Sequence, residues 1–218
     1  MACLPVPVGS EDAMSREIPH IVVSRLPIYL RALEHALGEG LTCISSQELS
    51  ERLGVSAAQI RKDLSMFGEY GKQGRGYPVA SLAEALRRHL HVDKVWDVVL
   101  VGVGDLGHAL VRYKGFAERG FRIAMAFDKD PAKIGTRVGG MLVEDSRTLA
   151  RRVQEAGIQI GMIATPAATA QEVANILVFA GVRAILNYAP IHLTLPEDVR
   201  VEYLDPVIPL QRMTYYLG

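Results

Sequence analysis

The sequence predicts an α/β protein built in two parts, and three observations carry that prediction. Residues from Arg16 to about His91 keep a helical spacing of apolar side chains, interrupted once by the glycine-rich stretch Gly68–Gly76. From Val92 onward, short β-branched runs alternate with helical stretches, the pattern of a parallel sheet covered on both faces. One of those runs, Trp96–Val101, passes directly into a glycine-rich turn and a helix. The expected division is a loose arm over 1–15, a first domain over 16–90, a second over 91–204 and a closing helix over 205–218.

In the first part, Ser45–Ser65 reads as two short helices joined by a sharp turn. Ser45 or Ser46 can cap the first helix with support from Glu48, Gly54 can end it in the left-handed region, and Ser56 can cap the second. At 100° per residue, Ile60 and Leu64 share one face, which should pack on Leu49 and Leu53. Ala58, Arg61, Lys62 and Ser65 share the opposite face, with Gln59 on the flank. Small residues permit close approach, Arg and Lys suit phosphates and guanine edges, and Gln suits base edges, so this is a candidate recognition helix. A solvated helix face is the bland alternative, and the next segment weighs against it. Phe67–Pro78 interleaves Tyr70 and Tyr77 with Gly68, Gly71, Gly74 and Gly76 and adds Lys72 and Arg75, which predicts a short hairpin wing on DNA. Residues 52–88 hold seven bases against three acids, a local excess in a chain whose 24 bases and 24 acids cancel. Upstream, Arg16–Leu37 should form the first helix of the core, with Pro27 marking a boundary or kink near Arg25.

In the second part, strands are expected at Trp96–Val101, Phe121–Phe127, Ile158–Ile163, Ala184–Leu186 and Val199–Leu204. Helices are expected at Asp105–Arg119, Ser146–Ala156 and Thr169–Ala180. The turn Gly102-x-Gly104-x-x-Gly107 sits between the first strand and the first helix, and Asp128 closes the next strand. That is the context of a Rossmann-type dinucleotide site. Gly102 allows the tight turn, Gly104 lets the backbone approach a pyrophosphate, and Gly107 lets the helix pack on the strand. The helix N-terminus favours the phosphates. Asp128 should bond the adenosine ribose and favour NAD(H) over NADP(H), although Lys129 and Lys133 soften that preference. Thr165-Pro166 and Asn187 follow later strand ends, where ligand contacts are placed in such sheets; ordinary turns explain them equally well.

Composition bounds the function. Hydrophobic residues make up 49% of the chain and charged residues 22%, so a core can be buried. No apolar run approaches the roughly 20 residues a membrane-spanning helix needs. The first fifteen residues lack the charge and apolar pattern of a signal peptide. Cys3 and Cys43 are too few for a disulfide framework or zinc cluster, so a cytoplasmic protein without a metal is expected. A hydride-transfer enzyme needs an acid or base beside its substrate. His108 and His192 are the candidates, and neither has an evident partner. A small NAD-dependent oxidoreductase with a helical dimerisation domain is the alternative function, followed by a CoA- or nucleotide-binding ligase module. In the tail, Asp205-Pro206 should start a short helix whose stripe Leu210, Met213 and Leu217 must pack either on its own domain or on a second subunit.

Taken together, the motifs resemble the redox-sensing transcriptional repressor Rex family over nearly the whole chain. The carrying segments are Ser24-Arg25-Leu26-Pro27 with Tyr29 and Arg31, Gln59–Ser65 with Phe67-Gly68, the wing Gly71–Tyr77, Gly102-Val103-Gly104-Asp105-Leu106-Gly107, Phe127-Asp128 with Lys133-Ile134-Gly135, and Gly181–Pro190. The resemblance implies an N-terminal winged helix, a Rossmann domain and a C-terminal helix exchanged within a homodimer. It implies a repressor, not an enzyme, that binds palindromic operator DNA and leaves it when NADH binds. Val103, Asp105, Leu106, Lys133, Thr165, Pro166 and Asn187 would join the glycines and Asp128 at the cofactor. Ser56, Gln59, Arg61, Lys62, Ser65, Lys72, Arg75 and Gly76 would face DNA. Arg31, Tyr113 and Asp205 would form the redox switch. One departure stands out: the family's large apolar residue after the tail aspartate is here Pro206, a smaller and stiffer plug.

Overall fold

The computed structural model describes residues 18–71 and 76–218. The expected arm over 1–15, Arg16, and the loop bases Lys72 and Arg75 lie outside the described residues. The chain divides into two units, one reaching to Lys94 and one spanning Val95–Gly218.

The first unit contains α1 (His20–Val23), α2 (Leu26–Gly38), β1 (Cys43–Ile44), α3 (Ser46–Leu53), α4 (Ala57–Ser65), β2 (Tyr77–Pro78) and α5 (Val79–His89). Pro27 falls in the first turn of α2, where a missing N–H costs nothing, so the expected break near Arg25 is a boundary between two helices. A capping box opens α3: Glu48 N donates to Ser45 Oγ at 3.1 Å and Ser45 N donates to the Glu48 carboxylate at 2.7 Å. Gly54 ends that helix at φ 67°, and Ser56 Oγ caps α4 by accepting from Gln59 N at 3.2 Å. Leu49, Ile60 and Leu64 join Leu26, Leu33, Leu82 and Leu86 in one buried core, so α4 turns inward the face its spacing predicts.

The wing differs from the expected local hairpin. No strand forms over Phe67–Gly71, and β2 pairs antiparallel with β1, matching Ile44 with Tyr77. Gly76 explains the choice: at φ 71° it lies against the β1 backbone, and an added Cβ would sit 2.6 Å from the Ile44 carbonyl oxygen. The two ends of the loop still meet, because a Cβ at Gly71 would lie 3.0 Å from the Gly76 carbonyl oxygen.

The second unit contains β3 (Trp96–Val101), α6 (Asp105–Arg112), β4 (Phe121–Asp128), β5 (Arg137–Val138), β6 (Met141–Asp145), α7 (Leu149–Ala156), β7 (Ile160–Ile163), α8 (Ala167–Phe179), β8 (Ala184–Asn187), β9 (Arg200–Tyr203) and α9 (Val207–Thr214). Its seven strands lie in the order β5-β6-β4-β3-β7-β8-β9, parallel except for the β5–β6 pair. The chain winds from β3 to one edge and then from β7 to the other, which opens a crevice at the carboxyl ends of β3 and β7. Residues Val98–Val101 are buried, as a strand covered on both faces requires. The helix expected over Asp105–Arg119 stops at Arg112, where Tyr113 turns extended at ψ 104°, and a tighter helical turn covers Lys114–Arg119.

Asp205 Oδ1 accepts from Val207 N at 2.9 Å, and the last helix opens at Val207, one residue later than Pro206 suggests. Every residue from Pro206 to Gly218 is exposed, so the stripe of Leu210, Met213 and Leu217 does not finish its own domain. Among the described residues, no helix is long and apolar enough to cross a membrane, and no cluster of metal-ligating side chains occurs.

Candidate functional site

The crevice above β3 and β7 is a cleft of about 930 Å³, within the range of small-molecule sites. Three glycines shape it in three different ways. Gly102 adopts φ 97°, and an added Cβ would lie 2.5 Å from the Ala164 carbonyl oxygen, so the β3 and β7 loops meet only because it has no side chain. A Cβ on Gly107 would collide with the Gly102 carbonyl oxygen, which seats α6 tightly on the turn. Gly104, by contrast, has open space around its Cβ position and stands as the N-terminal cap of α6. A polar ligand can therefore approach bare backbone N–H groups at a helix N-terminus.

The cleft brings Gly102, Gly104, Asp105 and Leu106 together with Asp128 at the end of β4, Lys133 from beyond it, and Thr165 and Pro166 from beyond β7. Val103 and Gly107 are buried beneath it. Asn187 departs from expectation. It is 1% exposed, and its amide donates to the Ala189 and Ile191 carbonyls and accepts from Ala189 N, so it shapes a turn and is not among the cleft's lining residues. Sequence spacing does not reveal Ser146 and Arg147, which line the cleft from the end of β6, or Val173 and Ile176, which line it from α8. Thr165 Oγ1 is buried in this lining without a hydrogen-bond partner. Such a group points to a missing polar companion.

Asp128 is 8% exposed and already heavily engaged. Its carboxylate accepts from Val103 N at 2.8 Å, Asp130 N at 2.9 Å and Lys133 Nζ at 3.2 Å. Burial alone pushes its pKa up, but these donors outweigh burial and hold the group below the ordinary carboxylate range. The acid thus fixes the glycine turn to the end of β4 as well as facing the cleft.

In the first unit, Arg61, Lys62 and Ser65 are exposed on α4, with Ser56 exposed at its cap and Gln59 half-buried at its edge. Arg61 donates to Ser46 Oγ at 2.9 Å, and Arg61, Ser65 and Gly76 line one groove between α4 and the wing base. Much of the local basic excess is paired. Arg52, Arg87 and Arg88 pair with Glu39, Glu34 and Glu84. Asp63 is fully buried: it accepts from Arg25 at 2.6 and 2.8 Å, from Tyr29 Oη at 2.7 Å and from Gln59 Nε2 at 2.6 Å. Gln59, a candidate for base edges, therefore also braces α4 through its amide nitrogen. The outward charge on this helix comes from Arg61 and Lys62. Tyr70, at the wing base, donates to the Phe67 carbonyl at 2.7 Å and meets His89 Nε2 at 2.5 Å. Of the expected switch residues, Arg31 is exposed on α2 in the first unit. Tyr113 stacks edge-on against Phe116, and Asp205 accepts from Val207 N just ahead of α9, both in the second.

Comparisons with known proteins bear on both units. Residues 17–65 match the family described as "Putative DNA-binding protein N-terminus", and residues 93–191 match that described as "CoA binding domain". The chain is 54% identical to the redox-sensing transcriptional repressor Rex of Chloroflexus aggregans over 94% of this chain and 96% of that one. It is 46% identical to the Rex of Streptomyces coelicolor over 93% of this chain and 78% of that one. Among solved structures, the Rex-family repressor RSP in complex with beta-NAD+ and operator DNA matches at TM-score 0.88 and 38% identity, covering 93% of this chain and 94% of that one. The beta-NADH complex of RSP matches at TM-score 0.84 and 36% identity, covering 93% and 95%. With whole-length identity to curated relatives and a shared fold in both units, the chain belongs to the redox-sensing transcriptional repressor Rex family.

Proposed function

We propose that this chain is a homodimeric, cytoplasmic repressor that holds operator DNA through α4 and the wing and releases it when NADH fills the Gly102–Asp128 cleft. The observation that carries this is the cleft itself, with an open Gly104 at a helix N-terminus and a retained acid at the next strand end. The residues fit the dinucleotide. Gly104 and the first turn of α6 would hold the pyrophosphate, Asp128 the adenosine ribose, and Thr165 Oγ1 offers a buried polar atom in need of a partner. Bound NADH supplies the signal, because its reduced ring differs from the oxidised one in charge and planarity. A regulator is favoured over an oxidoreductase on two grounds. The relatives are named as repressors, and the histidines weighed as acids are placed elsewhere: His108 is exposed on α6, and His192 stacks on Tyr203 at 5.1 Å.

The dimer is supported by α9, whose apolar residues Val207, Ile208, Leu210 and Met213 are all more than half exposed. Exchange of this helix between subunits would cover them and carry Asp205 toward the partner's cleft. NADH acts only if it binds the DNA-incompetent arrangement better than the competent one. Arg31, Tyr113 and Asp205 are the residues proposed to register that difference. The test is fluorescence anisotropy of a labelled palindromic duplex titrated with protein alone, with NAD+ and with NADH. Tight binding that NADH alone reverses supports the proposal. DNA binding indifferent to NADH would remove the sensing role and direct attention to Pro206.

A further inference from the structure

We propose that Gln59 selects adenine in the major groove, its amide oriented for that base by the buried Asp63 carboxylate. This rests on the reading of α4 as the recognition helix and names the base that one of its side chains selects. Gln59 stands third in α4, behind Ala57 and Ala58. The N-terminal residues of a recognition helix are the ones that reach base edges.

A glutamine amide free to turn over can offer either its oxygen or its nitrogen to a base. Gln59 is not free to do so. Its Nε2 donates to Asp63 Oδ1 at 2.6 Å, and an ionised carboxylate accepts without donating. Turning the amide over would set Oε1 against that carboxylate. Asp63 is itself fixed, fully buried and bonded by Arg25 through Nε and Nη2 and by Tyr29 Oη. One N–H given to Asp63 leaves Gln59 its carbonyl and a second N–H. Among the described residues no donor reaches Gln59 Oε1, and the buried polar side-chain atom left without a partner is Thr165 Oγ1, so the half-buried Gln59 keeps its carbonyl open to water. An acceptor beside a donor matches the N6 amino group and N7 of adenine. Guanine presents acceptors at both O6 and N7, and thymine presents O4, so either would set an oxygen against the carbonyl. Cytosine N4 could satisfy the carbonyl alone. Arg61 and Lys62, exposed on the same helix, carry donors only and leave adenine to Gln59.

The experiment selects bound duplexes from a randomised library with the full-length protein and with Gln59→Met. Affinity for the selected sequence is then measured by fluorescence anisotropy with single-base analogues at its adenines: purine, which lacks the N6 amino group, and 7-deazaadenine, which lacks N7. The wild type should select an adenine in each half-site at a position where Gln59→Met accepts any base, with preferences elsewhere unchanged. At that position either analogue should weaken the wild type by about fivefold or more and Gln59→Met by less than about twofold. The variant leaves Asp63 its bonds to Arg25 and Tyr29, and the analogue measurements on the wild type do not depend on it. Base preferences in Gln59→Met identical to those of the wild type would overturn the proposal. So would a wild type indifferent to both analogues at every selected adenine, or a loss in Gln59→Met that is uniform across sequences, which would mark a phosphate contact. Failure of the wild type to enrich any sequence would instead overturn the recognition-helix reading beneath it.

Discussion

Asp63→Ala removes the one fully buried charge among the described residues of the first unit, and the structure sets the size of the effect. The carboxylate accepts four hydrogen bonds, two from Arg25 and one each from Tyr29 and Gln59. These tie α4 to α2 and to the start of the core. Truncation strands a guanidinium and a phenol against a cavity. Removing one partner of a buried ion pair costs about 3–5 kcal/mol. The Arg25 side chain keeps 18% of its surface in water, so some relief from solvent is available and the lower end, about 3 kcal/mol, applies. For a unit of this size that loss lowers the melting temperature by roughly 12–24 °C. Asp63→Asn should be nearly as harmful, because an amide N–H₂ would face the Arg25 donors.

The pH dependence follows from the same contacts. Burial pushes the Asp63 pKa up, but Arg25, Tyr29 and Gln59 together hold it below the ordinary carboxylate value. Its folded value therefore lies below its unfolded one. The stabilisation is present above about pH 4, the unfolded carboxylate range, and is lost as pH falls through the folded value. Urea unfolding of the full chain, followed through the first-unit transition at pH 7 and at pH 3, measures both effects. A loss under about 1 kcal/mol at neutral pH, or a loss that does not shrink in acid, would refute this description of the network.

Three further outcomes are expected. Gly102→Ala should weaken NADH by tenfold or more in a fluorescence titration while leaving operator affinity intact, since the new Cβ meets the Ala164 carbonyl at φ 97°. Lys62→Ala should lower operator affinity across all sequences and reduce the slope of log affinity against log salt by about one, as for one lost phosphate contact. Leu210→Asp combined with Met213→Asp should shift sedimentation toward monomer without unfolding the parallel sheet, because neither side chain is buried within its own chain.

What the sequence made legible was local or periodic. The Ser45–Glu48 capping box, the Gly54 turn and the Ser56 cap each act within a few residues, so composition at fixed spacing sufficed. The same holds for the glycine turn after β3, where strand, turn and helix are contiguous. What stayed hidden depends on partners distant in sequence. Asp63 sits on a helix face that also carries bases and reads as one more surface acid, until Arg25, 38 residues upstream, reaches it. The β1–β2 pairing joins two-residue strands on either side of two helices, too short for any alternation to show. Asn187 ends a strand like a ligand-binding residue, but its amide satisfies backbone groups in the following turn. Arg147 belongs to the cleft only because β6 lies next to β4 in the sheet, a neighbour relation that no window of sequence records.

The most direct test of ligand-coupled DNA release is reciprocity. If NADH drives the chain off its operator by preferring the DNA-incompetent arrangement, operator must weaken NADH by the same factor by which NADH weakens operator. The measurement is NADH affinity from nicotinamide fluorescence, without DNA and with saturating unlabelled operator, set beside operator affinity with and without NADH. The predicted result is two equal ratios, each of about tenfold or more. An NADH affinity unchanged by saturating operator would contradict the coupling, whatever each ligand does alone.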